Sequence, residues 1–154
     1  MCGAQSEMSR LPDGEPLSRL PLHDRFDTMT TILVAAAVVE REGQFLLTRR
    51  QPGSHLAGAW EFPGGKCEPF ESLNDCLMRE LREELAVEAM VHEEVLSTTY
   101  AYSDRRVELH FFRCTIQTEP SAALGQEMRW VSREELRLLA LPPADAELIR
   151  QLAG

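Results

Sequence analysis

Gly64-Gly65-Lys66-Cys67-Glu68-Pro69-Phe70-Glu71 opens a stretch that runs through Ser72 to Val87 and contains Arg79-Glu80-Leu81-Arg82-Glu83-Glu84-Leu85. Pro63, Gly64, Gly65 and Pro69 stand before Ser72, whereas no Gly or Pro interrupts Ser72 to Leu85. The Ser72 hydroxyl can accept from the first free amides of a helix, and good helix formers dominate from there to Leu85. The stretch predicts a helix from about Ser72 to Leu85. At about 100° per residue, Leu73, Cys76, Leu77 and Leu81 form its apolar stripe, and Asp75, Arg79 and Arg82 fall on the opposite face. Glu80 and Glu84 sit inside the apolar stripe, with Glu83 at its margin. A solvated charged face would put them on the other side.

Three carboxylates at i, i+3 and i+4 repel one another, and each is costly at a half-buried position unless neutralised. Bound cations supply that neutralisation. All-oxygen ligands select a hard ion, Mg²⁺ or Mn²⁺, which keeps positions open for water and for substrate phosphates.

From Gly65, five residues lead to Glu71 and seven more to Arg79-Glu80; Leu81, one residue, Glu83-Glu84, one residue, Ala86 and Val87 complete the pattern. It resembles the Nudix box, the signature of hydrolases acting on nucleoside diphosphates linked to another group. The resemblance extends from about Ile32 to Leu152 and is greatest to the MutT-type and CTP pyrophosphohydrolase-type branches. Ala86 departs from the family's usual Gly, which would suit a left-handed helix C-cap; Ala in the same geometry costs about 1 kcal/mol.

The resemblance implies an α/β fold, a mixed β-sheet between helices in an α/β/α sandwich. It also implies Mg²⁺-dependent hydrolysis of a modified or oxidised nucleoside triphosphate to monophosphate and pyrophosphate, as in 8-oxo-dGTP diphosphatases, with Mn²⁺ able to substitute. In that pattern Glu80, Glu83 and Glu84 hold the metal with the Gly64 carbonyl, and Glu80 or Glu83 takes the proton of the attacking water. Arg79 pairs with Glu71 to brace loop against helix, Lys66 and Arg50 neutralise phosphate, and Arg105 contacts substrate. His55 stands beside the nucleotide and Phe62 near the base. A further acidic ligand comes from the loop before Trp130; the ungapped position holds Leu124, and the nearest candidate is Glu127. Where MutT-type enzymes have an Asn that reads the 8-oxoguanine edge, this chain has Asp145, as the CTP pyrophosphohydrolase branch does. An ionised carboxylate only accepts, which favours an exocyclic amino edge such as that of cytosine, whereas a protonated one also donates.

Each of these residues has a plainer reading. Arg50 and Arg105 fit surface positions, His55 a solvated loop, Phe62 the core, and Asp145 a helix N-cap. Other Nudix classes also compete: a pyrimidine pyrophosphohydrolase, an ADP-ribose-type hydrolase, or a non-catalytic nucleotide sensor. Sensors tend to lose the box glutamates, and here Glu71, Glu80, Glu83 and Glu84 all stand.

Elsewhere, residues 1–28 are rich in Pro, Gly, Ser and charge and read as a flexible extension, with Met29 a second possible start and residues 29–154 the hydrolase domain. Ile32 to Val39 is apolar and fits a buried central strand, turned at Glu40-Arg41-Glu42-Gly43 into Gln44–Arg50 as its hairpin partner. Strands are expected at Val95–Tyr102 and Arg106–Cys114 about a Ser103-Asp104-Arg105 turn, and at Met128–Val131. Short helices are expected at Arg133–Leu136 and from Leu141-Pro142-Pro143 to about Leu152.

The 154 residues are 44% hydrophobic, enough for one domain with a core. The net charge of −9 argues against polynucleotide binding but not against a small anionic substrate, because bound cations reverse the local sign. No apolar run approaches a membrane span, and no secretory signal is visible. Cys2, Cys67, Cys76 and Cys114 lack CxxC spacing, so neither zinc nor a disulfide is expected, and free thiols suit the cytoplasm. The expected assembly is a monomer or weak homodimer. Trp60 and Cys67 exclude a phosphate-binding P-loop.

Overall fold

The computed structural model describes residues 30–54 and 56–154. The expected extension over residues 1–28, Met29 and His55 lie outside the described residues.

The apolar run behaves as a strand buried on both faces. β1 (Thr31–Val38) lies between β5 (Gly64–Lys66) and β7 (Arg106–Ile116), and β6 (Ala89–Ala101) completes a four-stranded mixed sheet in the order β5-β1-β7-β6. β1 and β7 run parallel from Thr31 opposite Arg106 to Val38 opposite Arg113. The other pairs are antiparallel, with Ala36 opposite Gly64 across β1 and β5. A second sheet forms about β3 (Gln44–Arg49), which pairs antiparallel with β2 (Glu40–Arg41), β4 (Trp60–Glu61) and β8 (Met128–Ser132).

This corrects the expected hairpin. β1 does not pair with β3; the hairpin joins β2 to β3, with Glu40 opposite Phe45. Val39 carries the chain from one sheet to the other, its carbonyl accepting from the Leu46 amide at 3.1 Å. Adjacency in sequence favoured the hairpin, whereas the long apolar run is satisfied on both sides by strands made later in the chain.

Alternation along β1 divides the core in two. Ala36 and Val38 face one cluster with Phe45, Leu47, Phe62, Phe111 and Leu148, while Ala35, Ala37 and Val39 face another with Leu46, Cys76, Leu77, Leu81 and Leu85. Helices cover both faces: α1 (Leu73–Leu85) the second, and α2 (Arg133–Leu136) with α3 (Ala146–Ala153) the first. The architecture is therefore the expected α/β/α sandwich. Leu77, Leu81 and Leu85 are fully buried, worth about 2 kcal/mol each in area removed from water.

α1 begins and ends as its sequence requires. Ser72 is extended, and its Oγ accepts from the Asp75 amide at 3.0 Å. Ala86 is left-handed at φ 55°, its N–H donating to the Arg82 carbonyl, so the C-cap that usually takes Gly is built with Ala. The segment after β7 then returns to the open end of the helix: the Ser121 and Ala123 amides donate to the carbonyls of Leu85 and Glu84. No helix among the described residues is long and apolar enough to cross a membrane.

The cysteine expectation is corrected as well. Cys67 and Cys76 form a disulfide across a Cα–Cα distance of 5.2 Å, and Cys114 is free and buried. The loop through Pro69 and Phe70 folds back on the first turn of α1, so a nine-residue separation without a CxxC motif still brings the two sulfurs together.

Candidate active site

The Pro63-Gly64-Gly65-Lys66 segment leaves β4, enters β5 and passes directly over α1. Its glycines are required there. A Cβ on Gly64, at φ 153°, would overlap the Ala35 carbonyl oxygen and Ala36 Cα; a Cβ on Gly65 would overlap the Glu80 carboxylate. The backbone therefore forms a cradle against which Glu80 rests. The Gly64 amide donates to Glu84 Oε2 at 3.2 Å.

Arg79 organises the outer side of this junction. Its Nε and Nη2 donate to the two oxygens of Glu71 at 2.7 and 2.9 Å, a bidentate pair, and Nη2 also donates to the Lys66 carbonyl at 3.1 Å. Nη1 reaches Glu80 at 2.9 Å and Glu83 at 3.3 Å. Hydrogen bonds from Arg79 and from the Glu68 amide hold the Glu71 carboxyl down at about 2, and the Arg79 guanidinium is raised in turn. The Arg79–Glu71 brace implied by the family pattern is present.

Inward of Arg79 the balance reverses. Burial pushes the Glu84 carboxyl up to about 8, aided by the negative charges of Glu61 and Glu80 and opposed by the Gly64 amide and Arg50. Burial also raises Glu80 despite its contact with Arg79. These groups line a pocket of about 340 Å³ together with the cations Arg50, Lys66 and Arg105 and with Phe62, Tyr102, Ala144 and Asp145. Asp145 is 4% exposed, and burial together with the Glu61 charge pushes its carboxyl up to about 8. It makes no side-chain cap bond to α3, so the plain helix-cap reading does not account for it.

Of the residues singled out by sequence, the pocket brings together Arg50, Phe62, Gly64, Lys66, Glu80, Glu84, Arg105 and Asp145. Glu71 and Arg79 stand behind it, and the Glu83 side chain is 56% exposed and turned to Arg79. Arg50 Nη1 is bound to Glu61 at 2.7 Å, and Arg105 to Asp104 at 2.8 Å, so both cations enter the site already paired. Phe62 is both core and wall, packed edge-on against Phe111 at 5.7 Å. Glu127 does not line the pocket. It pairs with Arg49 at 3.1 Å while Leu124 occupies the rim, so the extra acidic ligand of the family pattern has no counterpart among the pocket-lining residues of that loop.

Three lining residues carry no signal in the sequence. Glu61 is a lone acid in Trp60-Glu61-Phe62, and its proximity to Arg50 depends on the β3–β4 register that sets Thr48 opposite Glu61. Gln126 is buried, with Nε2 donating to the Glu84 carbonyl at 2.8 Å and Oε1 accepting from the Leu124 amide, which ties the loop to the end of α1. The Tyr102 hydroxyl accepts from the Ala144 amide at 3.4 Å. No local pattern marks these three.

Among the described residues, the trio of His, Cys, Asp or Glu whose ligand atoms all lie within 4.8 Å of one another is Cys67, Glu71 and Cys76, and its two sulfurs are spent in the disulfide. The box glutamates are spread more widely, Glu83 being held outward by Arg79. Their chemistry nevertheless fits a hard divalent cation. Two carboxylates destabilised by burial, a third one turn away and an adjacent glycine backbone provide oxygen donors whose charge the surrounding cations do not balance.

Residues 34–151 match the family model described as NUDIX domain. The CTP pyrophosphohydrolase of Escherichia coli (strain K12) is 44% identical over 126 residues, 79% of this chain and 90% of that protein. The 8-oxo-dGTP diphosphatase of Haemophilus influenzae (strain ATCC 51907 / DSM 11121 / KW20 / Rd) is 36% identical over 123 residues, covering 79% and 90%. The solution structure of the E. coli ORF135 protein superimposes with a TM-score of 0.71 at 42% identity, over 85% of this chain and 91% of that one. With the box spacing, the glycine cradle and the sandwich all in place, the chain belongs to the Nudix family of hydrolases.

Proposed function

We propose that the protein hydrolyses modified or oxidised nucleoside triphosphates to monophosphate and pyrophosphate with Mg²⁺, Mn²⁺ being able to substitute, and so clears the nucleotide pool of the cytoplasm. The observation that carries this reading is the pair of burial-destabilised carboxylates, Glu80 and Glu84, beneath a pocket rimmed by Arg50, Lys66 and Arg105. Relatives named for CTP and for 8-oxo-dGTP support it.

Glu80, Glu83 and Glu84 would hold the cation with the Gly64 carbonyl. When bound, it polarises phosphoryl oxygens and lowers the pKa of the attacking water. Lys66 and Arg50 bind the phosphate chain and offset its charge. Glu80 or Glu83 takes the proton as water adds to phosphorus and the anhydride P–O bond breaks, releasing pyrophosphate. Glu71 and Arg79 position these glutamates without touching substrate, as partners behind metal ligands do.

The base would lie between Phe62 and Asp145. A protonated Asp145 donates and accepts as an amide does, which suits the 8-oxoguanine edge; an ionised one suits an exocyclic amino group. Its raised carboxyl keeps it largely protonated at neutral pH. A second reading, a pyrimidine pyrophosphohydrolase, is favoured by the presence of a carboxylic acid at this position at all.

A panel of 8-oxo-dGTP, dGTP, CTP, dCTP, 5-methyl-dCTP, 5-hydroxy-CTP and ADP-ribose, assayed with Mg²⁺ across pH, tests both. The expected result is monophosphate plus pyrophosphate, with cytosine nucleotides gaining on 8-oxo-dGTP above about pH 8. Turnover of none, with nucleotide binding intact, would identify a sensor instead.

A further inference from the structure

We propose that Cys67 and Cys76 form a reversible dithiol–disulfide modification site, with peroxides as oxidant and thiols as reductant, whose oxidised state orders the loop that carries the catalytic machinery. The effect on catalysis rests on the metal-site reading above; the modification itself does not.

The pair is placed to act. The Cα–Cα distance of 5.2 Å lies within the ordinary disulfide range. Cys67 directly follows Lys66, and its amide donates to the Leu33 carbonyl at 2.8 Å. Cys76 lies in the first turns of α1, fully buried, with Sγ 3.8 Å from the Gly65 carbonyl. The covalent ring encloses Glu71 and the Ser72 cap, and a Glu71 oxygen lies within 4.8 Å of both sulfurs. The bond thus fastens the Gly64–Lys66 strand and the Glu71 loop to the helix bearing Glu80, Glu83 and Glu84. The hydrolytic reaction uses neither sulfur.

The two sulfurs differ in access. Cys67 is partly exposed and Cys76 is not. Cys67 therefore meets the oxidant: its thiolate attacks the peroxide oxygen, giving a sulfenic acid and releasing an alcohol or water. The Cys76 thiol then displaces hydroxide from that sulfur, forming the S–S bond and water. In reverse, an external thiolate attacks Cys67 Sγ, Cys76 leaves as thiolate, and a second external thiolate frees Cys67 with release of the external disulfide. The only other described cysteine, Cys114, is buried, and its thiol is pushed up to about 12, which leaves it inert to this chemistry. Breaking the bond removes the covalent tie between this loop and α1 and leaves the β1 pairing of Gly64–Lys66, the Leu33 bond and the Arg79 contacts, so the segment from Lys66 to Glu71 loses part of its fixed position.

The test uses the full chain, treated with hydrogen peroxide or with dithiothreitol. Mass spectrometry of the tryptic peptide Cys67–Arg79 reports the bond as a loss of two hydrogens that the reductant restores. Amide exchange over residues 64–72 and Mn²⁺ affinity by electron paramagnetic resonance are read on both forms. Reduction is expected to speed exchange there roughly tenfold and to weaken Mn²⁺ binding about three- to tenfold, the loss of a preorganised site. The Cys67→Ser protein should behave as reduced under both treatments. Thiols that stay unpaired in peroxide overturn the proposal, as does a bond that forms without changing exchange. Exchange that changes while Mn²⁺ binds neither form upholds the modification site and removes the metal reading instead.

Discussion

The carboxylates that line the pocket and the one braced behind it are held in opposite ways. On the outer side Glu71 is gripped through both its oxygens by the Nε–Nη2 edge of the Arg79 guanidinium and held at about 2, an ionised group at rest. On the inner side Glu84 and Asp145 are each pushed to about 8 because burial outweighs the reach of Arg50. A paired carboxylate is a brace. An unbalanced one stores a cost that a cation or a base can relieve, and such groups gather where binding happens.

Four substitutions test this division, in descending order of effect. Glu83→Gln, at a half-exposed position, should fold as the native chain does and lose roughly a hundredfold or more in kcat, since it removes a proposed cation ligand without disturbing the core. Full activity in a steady-state assay would break the metal assignment.

Asp145→Asn probes the inner side through stability. The folded-state value lies above the ordinary carboxyl value, so protonation favours the folded form. The native chain therefore loses stability as pH rises from about 4 to about 8, at up to about 1.4 kcal/mol per pH unit. The Asn variant should lack this slope in denaturant titrations at several pH values, and it should shift base preference toward 8-oxo-dGTP.

Glu71→Gln probes the outer side, with the opposite sign. Its folded-state value is depressed, so its contribution is present above about 4.5 and lost as pH falls toward about 2. The variant should lose that acid limb and bind Mn²⁺ about tenfold more weakly, because Arg79 would lose its bidentate partner and be held only by Glu80, Glu83 and the Lys66 carbonyl. Unchanged Mn²⁺ affinity would reduce the brace to a surface ion pair.

The smallest effect belongs to the helix end. Ala86 is exposed and left-handed, so Ala86→Gly should stabilise the fold by about 1 kcal/mol in thermal or denaturant unfolding, with activity untouched.

The sequence makes legible what is local. The spacing of Glu80, Glu83 and Glu84 on one helix, the Ser72 cap and the Glu71–Arg79 pair all belong to one short stretch and need no distant contact to define them. The opposite wall is assembled by pairing between distant strands. Arg50 meets Glu61 through the β3–β4 register, and Gln126 reaches Glu84 across forty-two residues. The mistaken hairpin has the same origin, since β1 takes as its parallel partner a strand that starts at Arg106. Asp145 has two readings in the sequence, and only its burial and its missing cap bond separate them.

The most direct measurement of the central claim is a Mn²⁺ titration of the native chain and of Glu84→Gln across pH. Native affinity should rise toward about pH 8 with release of a proton on binding, because the cation needs the ionised Glu84 that burial disfavours. The variant should bind at least about tenfold more weakly and lose that pH dependence. Equal affinity and an identical pH profile in the two proteins would contradict the account.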